Sequence, residues 1–248
     1  MDKEFYAILF RAGSSGRFIG SLIWGSIYPN KYSFTTSNYN STHNQTPWGT
    51  TYKFKTEKTM SIWRNKNLFD NIELLSNPAM ITAHAPVNFD DFFTKFPFGK
   101  IVLITMMESD LFEVYSNSLL KNGFENFNST RMDYPDKIYI VNKYKEKFGV
   151  NPVDENFSVD FKRELLTSYF NSILRACSDN YFVNVKIPEQ YKSKILLLPY
   201  SEIVTDKDLT LKNISNFINR KIPTTVNTFY DEYLNGRNQL VETYMIWT

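Results

Sequence analysis

The sequence predicts an α/β fold, a single domain in which helices flank a central, mainly parallel sheet. Short apolar runs of the kind that form buried parallel strands recur at residues 5–10, 79–84, 99–107 and 194–203. Helical patterns separate these runs, and alternation of strands with helices is typical of βαβ units. The length of 248 residues favours one large domain, residues 1–248, over two small ones.

The chain begins with a strand, a turn and a helix. Residues 5–10, FYAILF, form the first predicted strand, and residues 15–27 form the helix after it. The next stretch, at about residues 28–63, is polar and aromatic without lasting periodicity. We predict a loop-rich insertion there, with a hairpin as one interpretation. Two roles stay open for it: a surface excursion, or a lid or acceptor-binding wall.

The remaining elements continue the alternation. The strand at residues 79–84 ends in His84, two positions before Pro86, and the strand at 99–107 is a nearly continuous apolar run. Helices are predicted at residues 110–122, 157–177, 209–220 and 229–245, the last interrupted at Gly236. Cys177 ends the apolar stripe of one of these helices and is interpreted as a packed core residue.

Composition and charge argue against several classes of protein. The net charge of +2, from 28 basic and 26 acidic residues, gives no electrostatic reason to expect a nucleic-acid partner. The single cysteine excludes an internal disulfide, as expected of a protein in the reducing cytoplasm. The start, MDKEFYAILF, lacks the features of a secretory signal, and no apolar run approaches the ~20 residues of a membrane span. Abundant Asn, Lys, Tyr and Phe suggest an AT-rich genome, such as that of a virus or phage, and then the host cytoplasm.

The segment ILFRAGSSGRFIGSLIW, residues 8–24, places a Gly/Ser turn between a strand and a helix. Successive amide groups of such a turn point into one cavity, and the start of the helix adds the positive end of its dipole. Arg11 and Arg17 bring two guanidinium groups to the same turn. The sequence therefore predicts an anion-binding site here.

Two common anion-binding loops fit this turn poorly. A Walker A loop ends in Gly-Lys-Ser/Thr, whereas Gly16 is followed by Arg17 and Phe18. A dinucleotide-binding loop needs the spacing G-x-G-x-x-G, whereas the glycines stand at positions 13, 16 and 20. Tyr139 and Lys143 nevertheless match the Tyr-x-x-x-Lys pair of short-chain dehydrogenases, so an NAD(P)-dependent oxidoreductase is kept as an alternative.

The segment RAGSSGRFIGSLI resembles the phosphosulfate-binding loop of sulfotransferases, with Arg11, Gly13, Ser14 and Ser15 on the family's pattern. Three later segments agree with that family in order and spacing. NIELLSNPAMITAHAPVNF, residues 71–89, is similar to the segment that runs from a helix end through a strand into a turn with the catalytic histidine, here His84. Residues 100–120 are similar to the strand and helix that hold the donor's second phosphate. Residues 194–223 are similar to the family's late strand, Tyr-x-Glu/Asp turn and helix.

The resemblance implies an enzyme that transfers the sulfuryl group of 3′-phosphoadenosine 5′-phosphosulfate (PAPS) to a hydroxyl or amine acceptor, without a metal. It implies that Arg11 grips the phosphosulfate bridge and that His84 takes the acceptor's proton as general base. The donor-binding residues that it implies are Arg11, Ala12, Gly13, Ser14, Ser15, Gly16, Arg17 and Ser116. The acceptor stays open among small molecules, lipids and carbohydrates. Aromatic residues at 28–63 suit stacking on a sugar or flat ring, and equally a core or lid role.

Several positions depart from the family's pattern. Thr105-Met106-Met107 stands where the family has an arginine for the donor's 3′-phosphate. The family's phosphate-binding serine aligns with Val114, near Ser116, and Thr82 replaces the lysine of the histidine turn. These departures keep a second interpretation open, a nucleotide- or glycan-binding protein of sulfotransferase fold without catalysis. His84 has an alternative as well, as a structural residue at the end of a strand.

Overall fold

A computed structural model of the chain describes residues 3–10, 14–30, 34, 47–55, 68–107, 110, 182–183 and 185–245, with residues 237–245 as backbone only. The chain divides into two compact units, Met1–Met107 with Tyr181–Leu234, and Glu108–Asn180 with Asn235–Thr248. Every side-chain contact given below belongs to the first unit. Of the second unit, the structure describes Asp110 and the end of the last helix. One domain over residues 1–248, with an insertion at about 28–63, stays a prediction.

The described chain contains both strands and helices. The strands are β1 (Phe5–Leu9), β2 (Tyr52–Phe54), β3 (Ile72–Leu74), β4 (Ala79–Ala83), β5 (Gly99–Thr105) and β6 (Ile195–Pro199). The helices are α1 (Gly16–Ile27), α2 (Phe89–Lys95), α3 (Tyr200–Thr205), α4 (Lys207–Ile218) and α5 (Val226–Met245). Short 3-10 turns lie at Pro47–Thr50, Leu68–Asn71 and Glu189–Lys194.

Four strands form a parallel sheet in the order β4-β1-β5-β6. The strand β1 lies inside it, with Phe5 opposite Ala79 of β4 on one side and opposite Gly99 of β5 on the other. The strand β6 pairs with β5 in the same direction. Since helices pack against these strands, the predicted α/β class with a central parallel sheet is confirmed.

The burial of β1, β4 and the centre of β5 explains why their sequences are almost entirely apolar. Every residue of β1 and of β4 is buried, and so are the residues from Ile101 to Ile104 in β5. A strand that is covered on both faces has no side that needs to be polar, so the alternation of apolar and polar residues disappears.

A second, two-stranded sheet includes part of the predicted insertion. The strands β2 and β3 pair antiparallel, and Lys53 lies opposite Glu73 with their charged atoms 3.1 Å apart. Ile72 is buried whereas Glu73 is exposed, which is the alternation of a strand covered on one face. The resemblance implies a helix end at this place, and that expectation is wrong: NIELL forms the end of a 3-10 turn and a strand.

Two predicted boundaries need correction. The strand predicted at 194–203 ends at Pro199, and α3 begins at Tyr200. The buried residues Tyr200 and Ile203 are three positions apart, which is a helical spacing. The interruption predicted at Gly236 is absent, since α5 runs through it, and one glycine costs a helix only about 1 kcal/mol. The helices predicted at 110–122 and 157–177, with Cys177, lie outside the described residues, apart from Asp110, which is helical.

The helix α2 is an element that the sequence analysis does not predict. The side chain of Asn88 accepts hydrogen bonds from the amides of Asp90 and Asp91, at 3.0 and 3.4 Å. These two acidic residues also favour the positive end of the helix, and Lys95 favours the other end. An Asn cap before an acidic first turn is a known start signal, so the information was present in the sequence.

The described helices include none with the length and apolar character needed to cross a membrane.

Candidate functional site

The edge of the sheet where the parallel strands end is the edge at which α/β proteins bind ligands. From β1 the chain reaches β4 on one side of the sheet, and it then crosses to β5 on the other side. The order of the strands therefore reverses beside β1, and ligands of such sheets bind at a reversal of this kind. The turn from β1 into α1 starts at this point.

Gly16, the first residue of α1, lies against the ring of Phe10 at the end of β1. A Cβ atom on Gly16 would lie 2.0 Å from Cγ of Phe10, which is far inside van der Waals contact. Phe10 is buried, and its ring meets the ring of His84 edge-on with centroids 4.4 Å apart. Since the Phe10 ring is enclosed, only glycine fits at position 16.

Ser15 precedes α1 in a left-handed conformation, with φ 70° and ψ 11°. A residue other than glycine adopts this region at a cost of about 1–2 kcal/mol. The carbonyl of Ser15 accepts the first helical hydrogen bond from the amide of Ile19, at 3.0 Å, but its side chain does not cap the helix. The hydroxyl is instead hydrogen-bonded to the hydroxyl of Tyr233 in α5.

The charge at the start of α1 is positive. The first turn of this helix has no acidic residue, so no carboxylate in that turn offsets the positive end of the helix dipole. Arg17 belongs to the same turn, is half-buried, and has no ion pair within the described part of the chain. Burial lowers the pKa of the Arg17 guanidinium, which nevertheless stays protonated at neutral pH. A half-buried cation that has no ion pair among the described residues and lies next to a helix start is an arrangement that an anion stabilises.

His84 lies directly after β4 and contacts Phe10 at the end of β1. The amide of Phe10 donates to the carbonyl of Ala83, at 3.0 Å, and extends the pairing of β1 with β4 by one bond. The ring nitrogen Nδ1 of His84 lies 2.9 Å from the carbonyl oxygen of Phe10. His84 is half-buried, so it belongs to the edge of the sheet and not to its core.

The contact with Phe10 fixes the tautomer of His84. A carbonyl oxygen only accepts, so Nδ1 carries the hydrogen and donates it to Phe10. In the neutral ring the lone pair is therefore on Nε2, and a base must present a lone pair. The same hydrogen bond is equally expected if His84 has only a structural role and holds the end of β4 against the end of β1. The geometry is compatible with both roles.

The end of β5 differs from what PAPS binding requires in the sulfotransferase family. Met106 is buried, at 3% exposure, and its amide donates to the carbonyl of Phe182, at 3.1 Å. A buried thioether offers no charge for a phosphate. Thr82, which stands in place of the family's lysine, is also buried, and its methyl group would lie 3.0 Å from a Cβ on Gly20 of α1.

Of the predicted site residues, the structure describes Ser14, Ser15, Gly16, Arg17 and His84. Ser14 is fully buried. Arg11, Ala12, Gly13 and Ser116 lie outside the described residues, as do the dehydrogenase-type residues Tyr139 and Lys143. The assigned roles of all these residues stay predictions.

The sequence analysis missed two residues at this place, Phe10 and Tyr233. Phe10 is the last residue of the predicted first strand and stands directly before the glycine-rich segment. A glycine in such a segment is a signal that the backbone packs closely against a neighbouring side chain, here the ring of Phe10. Tyr233 lies 218 positions from Ser15, and no local pattern indicates that their hydroxyl groups meet.

Within the described ranges, no cluster of three His, Cys, Asp or Glu side chains is arranged to hold a metal ion. Comparison of the chain with protein-family models, curated proteins and solved structures finds no match. The likeness to sulfotransferases thus rests on the sequence segments quoted above.

Proposed function

We propose that this chain is a sulfotransferase that transfers the sulfuryl group of PAPS to a hydroxyl or amine acceptor. The observation that carries the proposal is the junction of β1 with α1. There, Arg17 has no acidic partner in the described chain, and the first turn of the helix has no acid. A phosphosulfate group supplies the negative charge that balances such a junction. The pattern Arg11-x-Gly13-Ser14-Ser15 supports this particular anion.

The proposed reaction needs positioning and charge stabilisation more than covalent chemistry by the protein. The acceptor oxygen attacks sulfur while the bond from sulfur to the bridging phosphate oxygen breaks. Adenosine 3′,5′-bisphosphate leaves with the electrons of that bond. Arg11 and Arg17 offset the charge that grows on the bridging oxygen and the 5′-phosphate. The proton of the acceptor passes to Nε2 of His84, the nitrogen left unprotonated by the bond from Nδ1 to Phe10.

Met106 favours a second candidate function. The buried methionine occupies the place of the family's 3′-phosphate arginine, and a site without that charge binds the 3′-phosphate less tightly. The alternative is a protein of sulfotransferase fold that binds a nucleotide or glycan without catalysis.

We also propose the cytoplasm, or the host cytoplasm for a viral protein, as the compartment. The single cysteine agrees with a reducing environment.

Titration calorimetry with adenosine 3′,5′-bisphosphate tests the proposal. We expect Arg11→Ala to abolish detectable binding and Arg17→Ala to weaken it about tenfold or more, because each loses a hydrogen bond to a charged group. Arg220→Ala is the matched control. Arg220 pairs with Glu4, at 3.5 Å, before the start of β1 and thus at the opposite edge of the sheet. This control removes the same charge from the chain and should leave the affinity unchanged.

Release of the bisphosphate from PAPS, with alcohol, phenol, amine and sugar acceptors, separates the two candidates. Turnover that depends on an acceptor identifies the enzyme. Binding without turnover for any acceptor identifies the binding protein. Equal affinity in the parent and in Arg11→Ala contradicts the assignment of the anion to this turn.

A further inference from the structure

Phe10 contacts His84 through both its backbone and its side chain. The carbonyl oxygen of Phe10 lies 2.9 Å from Nδ1 of His84 and accepts the hydrogen of that nitrogen. The ring of Phe10 meets the ring of His84 edge-on, with centroids 4.4 Å apart and planes 66° apart. Aromatic pairs favour this arrangement over a face-to-face one. The first contact sets which nitrogen of His84 is protonated, and the second restricts the angle of its ring.

The ring of Phe10 is itself held in place. A Cβ atom on Gly16 would lie 2.0, 2.1 and 2.3 Å from Cγ, Cδ1 and Cδ2 of Phe10, so the backbone of Gly16 lies directly over this end of the ring. The amide of Phe10 donates to the carbonyl of Ala83, the residue before His84, at 3.0 Å. Phe10 is 4% exposed, so little free space surrounds the ring. A closely packed side chain of this kind holds its neighbour at a fixed angle.

These contacts select a tautomer that an unrestrained histidine does not favour. In water, a neutral imidazole side chain carries its hydrogen mostly on Nε2. The contact with Phe10 requires the hydrogen on Nδ1, because a carbonyl oxygen only accepts. The lone pair of His84 is then on Nε2, since the hydrogen bond of one ring nitrogen decides the state of the other. The opposite tautomer would place a hydrogen where a general base needs a lone pair.

We propose that Phe10 is a positioning residue for His84: its carbonyl and its ring together hold the imidazole as the Nδ1–H tautomer, at a fixed angle and with the lone pair on Nε2. This inference deepens the proposed function and rests on it for the role of His84 as general base. The two contacts between Phe10 and His84 do not depend on which nucleotide the chain binds. Phe10 acts through His84 and is not itself assigned a contact with either substrate.

Nuclear magnetic resonance of the imidazole nitrogens tests the inference, since their chemical shifts distinguish the protonated nitrogen from the other one. The chain has two histidines, His43 and His84, so the signals that disappear in His84→Asn are those of His84. At alkaline pH, where an imidazole is neutral, we expect the parent to show the Nδ1–H tautomer. Phe10→Leu should shift His84 toward the Nε2–H tautomer, because the restricting ring is gone. Turnover of PAPS should fall about tenfold or more, since a misplaced group loses much of its effect.

Phe5→Leu is the matched control, which separates a positioning role from a structural one. Phe5 is the first residue of β1, is fully buried, and packs on Phe92 and Phe96 with centroids 5.8 and 4.7 Å away. Both variants remove one buried ring and should lower the melting temperature. Phe5→Leu should nevertheless keep the His84 tautomer and the turnover of the parent. If Phe10→Leu does not fold, Phe10→Met takes its place, because methionine fills the space flexibly without a ring.

The outcomes separate the inference from the proposed function. An Nε2–H tautomer in the parent overturns the inference, and so does a parent-like tautomer or parent-like turnover in Phe10→Leu. An equal change in Phe5→Leu also overturns it, because the effect is then a general loss of packing. Sulfuryl transfer by the parent in any of these cases leaves the proposed function intact. The expected tautomers without turnover for any acceptor overturn the proposed function, and Phe10 then keeps its role in holding His84.

Discussion

Single residues decide how the start of α1 packs against the end of β1. Gly16 allows the helix to start against the ring of Phe10, and Ser15 adopts a left-handed conformation just before it. The amide and the carbonyl of Phe10 both bond to the end of β4, through Ala83 and His84. The end of β1 is thus tied to the end of β4 through one residue, so a change at Phe10 should reach both His84 and the start of α1.

Gly16→Ala should lower the free energy of unfolding. The new methyl group would lie 2.0 Å from Cγ of Phe10, and the overpacking of a closed site costs about 1–3 kcal/mol. Chemical denaturation of the parent and variant measures the loss. In a Phe10→Ala background, Gly16→Ala should cost nothing further, because the clashing ring is absent. An equal cost in both backgrounds would show that Phe10 is not the cause.

His84→Asn should keep the fold and lose turnover. The asparagine side-chain amide replaces Nδ1–H as the donor to the carbonyl of Phe10, but it has no basic nitrogen in place of Nε2. We expect turnover to fall by about two to four orders of magnitude, the share of a general base, with unchanged bisphosphate affinity. His84→Ala should show the same loss of turnover and also a lower melting temperature. Full activity in His84→Asn would instead assign His84 the structural role.

At the scale of elements, helices in this chain differ in how closely they are packed. In α1, every residue except Arg17 is buried, and Gly20 lies against Thr82 and Trp48. Around Gly236 in α5, by contrast, no described atom outside the adjoining helix backbone lies within 4 Å of the place where a Cβ would be. In α1, glycine is needed because neighbouring side chains leave little room for a Cβ atom. At position 236 of α5, packing does not require a glycine.

Gly236→Ala should raise the free energy of unfolding by about 0.5–1 kcal/mol. Alanine restricts the unfolded chain more than glycine does and favours the helix, and there is open space for its methyl group. This variant is the matched counterpart of Gly16→Ala, since both add one methyl group to a helical glycine. Denaturation of the two variants under the same conditions should give shifts of opposite sign. A loss of stability in Gly236→Ala would contradict the open space at this position.

At the scale of the whole molecule, the order of the strands selects the ligand edge. The order β4-β1-β5-β6 reverses beside β1, so a ligand is expected at the carboxyl end of β1 for any α/β protein with this order. Topology therefore favours a ligand there without choosing between the ligands of a sulfotransferase and of a dehydrogenase. The choice depends on the chemistry of the ligand.

Thermal shift with two nucleotides makes that choice. Adenosine 3′,5′-bisphosphate at about 100 times its dissociation constant should stabilise the parent by about 2.7 kcal/mol, or about 5–10 °C for a chain of this size. NADPH should give no comparable shift. Micromolar binding of NADPH, lost in Tyr139→Phe or Lys143→Ala, would favour the oxidoreductase instead. Fluorescence of the reduced nicotinamide gives an independent measurement.

The sequence by itself determined the fold class and the positions of the main strands. Runs such as FYAIL and AMITA are apolar because both faces of a parallel strand are covered, and that requirement is visible residue by residue. The sequence also predicts a Gly/Ser turn with two arginines, because the conformational needs of a turn are local, and residues 11–13 of that turn lie outside the described part of the chain. The start of the helix α2 is encoded equally locally, by the cap Asn88 and the acidic residues after it.

Only the tertiary structure decided which distant groups meet at that turn. The bond from His84 to Phe10 depends on the register of β4 against β1, and the contact of Tyr233 with Ser15 depends on how α5 packs on Phe18. Strand order, register and helix packing are set by the summed burial of many side chains, so no short segment encodes them. The same holds for Arg17, which has no ion pair among the residues that the structure describes, because whether a charge finds a partner depends on how its surroundings fold.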